Sequence, residues 1–128
     1  MTSLVQAFNT HFMDFIEDVQ SVFPEDPDIL TAKNYIILAK KTNPTIIIKM
    51  WKMYICNKYK DEILAGNLSF FLEKDYSVDV ENVSNSDKIM DSINRLRDPI
   101  QKMSSENQLK SMKYIQNLTK IANIYENS

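Results

Sequence analysis

Few residues of this chain are equipped for chemistry. His11 is the only histidine and Cys56 the only cysteine, while helical spacing would set Asp14 and Asp18 one turn apart on a shared face with Glu17 alongside. A carboxylate pair of that kind can hold a divalent cation or divide acid and base roles. A zinc site needs more nitrogen or sulfur donors than one imidazole supplies, and neither H-E-x-x-H nor a Cys/His spacing occurs. No E-x-x-H pair is present to build a di-iron site. Because Gly66 is the only glycine, G-x-G-x-x-G, P-loop and G-x-S-x-G sequences are impossible. The carboxylates therefore read as a solvated helix face and His11 as a partly exposed helix residue. Cys56, among the large apolar residues of WKMYICNKY, reads as a buried, inert thiol. No catalytic residue, cofactor or metal is expected.

The elements that would position these residues are helices. One glycine and four prolines leave few sites for tight hairpins, and 44% hydrophobic with 25% charged residues is ordinary globular composition. The expected fold is all-α: a compact single-domain bundle of about four to five amphipathic helices spanning 1–128, with one longer loop near 75–85.

Ser3 and Gln6 form an S-x-x-Q capping box, after which Leu4, Phe8, Phe12, Phe15, Ile16 and Val19 recur at helical spacing up to Pro24. Asp26-Pro27 opens a second helix carrying Ile29, Leu30, Ala32, Tyr35, Ile36, Leu38 and Ala39. Asn43-Pro44 repeats that start signal for a third, running through Ile47, Ile48, Trp51, Tyr54, Ile55 and Tyr59 to Leu64, with Gly66 as its left-handed stop. Leu68 to Leu72 reads as one short helical turn. Asn85 or Ser86 caps a fourth helix bearing Ile89, Ile93, Leu96, Ile100 and Met103, in which Pro99 imposes a kink or starts a new segment. Ser105 and Gln108 offer a second capping box for the last helix, whose stripe includes Leu109, Met112, Ile115, Leu118, Ala122 and Tyr125. Whether residues 86–126 make one kinked rod or a hairpin is left open by the sequence.

Charge is distributed in stripes. Residues 1–30 hold six acidic side chains and no Lys or Arg, whereas residues 31–60 hold seven lysines and no acidic side chain, so a net charge of −2 conceals strong local fields. Neighbouring helices of opposite sign could simply neutralise one another. Alternatively Lys40, Lys41, Lys49 and Lys52, with Lys33, Lys58 and Lys60, present a cationic face to an acidic protein or to nucleic acid. Nucleic acid is the less expected partner, since the isoelectric point is near 5.4 and only two arginines occur. The N-terminus lacks the basic, apolar pattern of a secretory signal, and no apolar run reaches the length of a membrane span.

The stretch GNLSFFLEKDY, residues 66–76, concentrates aromatic surface just after the expected helix stop. Phe70 and Phe71 point to different sides of a helical turn, so both can plug the bundle, or one can do so while its neighbour meets a partner. Phe70, Phe71, Tyr76, Trp51 and Tyr59 are the aromatic candidates for partner contact, although a single Trp at helical spacing also suits a core.

Two strings, NPTIIIKMWKMYICNKYKDEILAGNLSFFLEKDY at 43–76 and LRDPIQKMSSENQLKSMKYIQNLTKIANIY at 96–125, resemble small proteins of large icosahedral double-stranded DNA viruses of algae and related hosts. That resemblance implies a minor capsid protein lying under the major capsid shell. Its partners would be other capsid proteins, major and minor, and its location the virion, assembled in the host cytoplasm. It carries no site residues to transfer. The other reading is an intracellular helical adaptor or regulator using the lysines of 33–60.

Overall fold

The computed structural model describes residues 3–67 and 84–125. Among these no strand occurs, and the chain folds as the expected all-α bundle: α1 (Leu4–Val22), α2 (Pro27–Thr42), α3 (Ile46–Trp51), a π segment (Lys52–Cys56), α4 (Asn57–Leu64), α5 (Ser84–Gln101) and α6 (Ser105–Ile124). The most extensive packing is between α2 and α5 and between α1 and α6.

Local capping explains most of the boundaries. The Ser3 hydroxyl accepts from the Gln6 N–H at 3.0 Å and starts α1. Asp26 Oδ1 accepts from the N–H groups of Asp28 and Ile29 at 2.8 and 3.2 Å, with Pro27 occupying the first helical position, where no N–H is needed. Asn43 does not cap α3. Its N–H donates to Ala39, closing α2, and α3 begins only after Thr45. Gln108 likewise departs from expectation: Ser104, not Ser105, caps α6, and the Gln108 amide donates to the carbonyls of Ile100 and Gln101. Those two carbonyls lie at the open end of α5, so the side chain ties the corner between α5 and α6. The chain therefore forms two helices separated by a break at residues 102–104, and not one kinked rod. Pro99 sits inside α5, near its end, and the helix stops two residues later. Asn85 and Ser86 lie within α5 instead of preceding it.

Gly66 ends α4 at φ +85°, its N–H donating to Ile63 while the Asn67 N–H reaches Glu62, which is the Schellman pattern. A Cβ placed on Gly66 would meet only Gln116 Nε2, at an ordinary 3.8 Å, so the demand for glycine is conformational. Gly66→Ala is accordingly expected to lower stability by roughly 1–2 kcal/mol, and Gly66→Asn by less, in urea titrations followed by circular dichroism.

The core is one cluster drawn from every helix. Phe8, Phe12, Phe15 and Ile16 of α1 meet Ile29 and Ile36 of α2, Ile47, Ile48 and Trp51 of α3, and Ile115 and Leu118 of α6, all at most 1% exposed. Each such side chain contributes roughly 1.5–3 kcal/mol of transfer free energy. In an unbroken α-helix Trp51 and Cys56 would point about 140° apart. The π segment between them makes a wider i to i+5 turn, seen in the Asn57 N–H donating to Lys52, and both residues reach the interior. Leu30, Leu38 and Leu109 are instead exposed, at 49%, 57% and 70%.

Candidate functional site

The cationic block is carried by α2, α3, the π segment and α4, and the structure divides it. Lys33 pairs with Glu17 of α1 at 3.6 Å and donates to Gln20 at 2.9 Å. Lys52 donates to the backbone carbonyl of Tyr125. Lys40, Lys41, Lys49 and Lys60 form no ion pair with the described residues. Acidic α1 finds its other partner on α6, where Lys110 meets Asp18 at 3.1 Å, and Asp28 of α2 is bound by Arg95 of α5 at 2.7 Å. Neutralisation between helices of opposite sign thus accounts for Lys33 and leaves most of the described basic block without a carboxylate.

Two of those lysines border a groove. Lys49, Met50, Lys52 and Met53 fall on one helical face and, with Asn57 and Tyr125, line a depression of about 230 Å³. Asn57 also lines an adjoining polar hollow with Cys56, Lys60, Asp61 and Asn123. Lys40 belongs elsewhere, lining a separate depression beside Asn9 and Pro44 where the Asn9 amide donates to the Pro44 carbonyl at 2.8 Å. The lysines expected to form one face are therefore spread over different depressions.

The aromatic candidates separate as well. Trp51 is fully buried, with its ring edge-on to Phe8 and Phe12 and its Nε1–H donated to Thr119 Oγ1 at 3.1 Å, so it belongs to the core and is not available to a partner. Tyr59 is half-buried against that core. Phe70, Phe71 and Tyr76 lie outside the described residues. Met50, Met53, Asn57 and Tyr125 were not singled out by the sequence as groove residues. The Met50–Met53 spacing is visible there, but the approach of Tyr125 across the π turn is a tertiary event.

Of the candidate acid–base residues, Asp14 lies near enough to His11 for its charge to act on the imidazole. Among the described residues no three His, Cys, Asp or Glu side chains stand together as metal ligands. Glu17 and Asp18 point to different partners, Lys33 and Lys110. His11 stacks on Tyr114 with ring centroids 4.9 Å apart, and its Nε2 is buried without a hydrogen-bond partner. Lys110, Lys113 and Asn117 border the same shallow depression. Burial lowers the His11 pKa, an effect opposed by the negative charge of Asp14.

That shift fixes the sign of a pH effect. The unfolded chain binds the imidazole proton at higher pH than the folded one, so the stability associated with neutral His11 is complete above the ordinary value of 6.5 and declines as pH falls below it. Urea midpoints at about pH 7.5 and about pH 5.5 should therefore drop more for the parent chain than for His11→Gln, which removes the titrating group.

No helix among the described residues is long and apolar enough to cross a membrane. Compared with protein-family models, with curated proteins and with solved structures, the chain matches none.

Proposed function

We propose that this chain is a non-enzymatic structural interaction protein that engages acidic protein surfaces through the basic side chains of residues 40–60. The observation that carries this reading is the set Lys40, Lys41, Lys49 and Lys60, which have no carboxylate partner among the described residues although the acidic helix α1 packs against α2 and α3. Charges left unneutralised in this way steer encounter and select orientation, while desolvated apolar groups supply affinity. The resemblance of residues 43–76 and 96–125 to proteins of large icosahedral DNA viruses extends the reading to a minor capsid protein that bridges or cements major capsid subunits.

Mass spectrometry of gradient-purified particles, before and after weakly bound proteins are stripped, tests the capsid form. Peptides of this chain at a fixed ratio to the major shell protein support it. Their absence from particles removes it and leaves an adaptor whose partner is sought with the recombinant chain. Binding of either kind should weaken with rising salt, because the lysines responsible are half-buried or exposed and their charges remain open to screening.

A further inference from the structure

We propose that the groove beside the π segment receives an acidic segment of a partner protein carrying one apolar anchor side chain, an assignment that rests on the interaction reading above. The lining combines Met50, Met53 and Tyr125, with Met53 49% exposed, and the polar side chains of Lys49, Lys52 and Asn57. No carboxylate of the described residues lines it. An occupant must therefore bring apolar surface for the methionines and negative charge for the ammonium groups.

The volume narrows the class. At about 230 Å³ the groove is smaller than the cavities that enclose cofactors, roughly 300–1,000 Å³, and suits a side chain or two of a longer ligand. Methionine side chains are unbranched and polarizable, so they fit anchors of irregular shape. The groove is also held in place: the Lys52 ammonium donates to the Tyr125 carbonyl, fastening the end of α6 against the π turn that shapes the opposite wall. Wide turns of this kind in helices occur frequently at functional sites. A nucleic acid is a poorer match, because the lining is mostly apolar and no arginine among the described residues belongs to it to grip phosphate.

Selection of a library of short random peptides on the immobilised full chain, followed by fluorescence anisotropy of the enriched peptides, tests the assignment. Enriched peptides should carry Asp or Glu around an apolar residue. Their affinity should fall about tenfold or more with Lys49→Glu and with Met53→Lys, and change less than about twofold with Lys102→Glu, an exposed lysine outside both the groove and residues 40–60. Melting curves of the variants establish that each is folded before its affinity is compared.

Peptides without acidic enrichment would overturn the proposal, as would equal binding by the parent chain, Lys49→Glu and Met53→Lys. Stronger binding of labelled oligothymidylate than of any peptide would overturn it in favour of nucleic acid. If selection yields no peptide, the groove assignment fails. The broader interaction reading fails only if the chain is also absent from particles and binds no partner protein.

Discussion

Trp51→Ala is expected to lower the unfolding free energy by about 3–5 kcal/mol, the cost of deleting a large aromatic side chain from a packed core. Trp51 is fully buried, its ring centroid lies 6.1 Å from Phe8 and 5.8 Å from Phe12, and it bridges α1, α3 and α6. Loss of the ring removes dispersion contacts on several sides. It also strips Thr119 Oγ1 of its donor, although that hydroxyl still donates to the Ile115 carbonyl at 2.9 Å. Trp51→Phe separates the two terms, since it retains much of the apolar volume and deletes the N–H; a loss of roughly 1–2 kcal/mol is expected. Domains of this size are stable by only about 5–15 kcal/mol, so the alanine variant should unfold at low urea concentration. A change below about 1 kcal/mol for Trp51→Ala would contradict core burial and return the residue to the candidates for partner contact.

How much of this arrangement can be read from the chain depends on whether a local or a tertiary term decides. Ser3, Asp26-Pro27 and Gly66 act within four residues of themselves, and each performs the capping role its type predicts. Asn43, Ser105 and Gln108 take roles other than those the sequence suggests because two local solutions compete in each case. Asn43 could begin one helix or end another, and the short link between α2 and α3 assigns it to the first. Either serine of Ser104-Ser105 could cap, and the carbonyls at the end of α5 draw Gln108 away from the capping box.

Apolar periodicity identified Ile29, Ala32, Ile36 and Ala39 as the inner face of α2, yet it could not exclude Leu30 and Leu38, which the packing of α2 on α5 leaves outside. The candidate site was legible only as a charge block. Lys49 and Lys52 were recognised, but their grouping with Tyr125 required a contact across 73 positions, and the separation of Lys40 into another depression required the fold itself. The π turn has no sequence signature of its own here. It resolves the conflict of placing Trp51 and Cys56 on one side of a continuous helix, and only the packed bundle imposes that demand.

The same demand makes Cys56 a reporter of bundle opening. Its thiol is 1% exposed and directed at the Thr119 carbonyl and Asn123 Oδ1, at 3.7 and 3.8 Å. Burial raises its pKa, an effect that the positive charges of Lys60 and Lys52 offset in part. Both access and thiolate content are thus reduced in the folded state. Modification by a thiol reagent at neutral pH is expected to be on the order of 10³-fold or more slower than in the urea-unfolded chain, because it waits on transient opening. Trp51→Ala should then accelerate labelling by about 10²- to 10⁴-fold under native conditions, in proportion to the stability lost, if global opening carries the reaction. Acceleration much smaller than the measured loss of stability would mean that α4 and the π segment separate from α6 locally, without disturbing α1. That result would bear on the groove, whose two walls are these same elements, and would make it a site that opens to accept its ligand in place of one held ready.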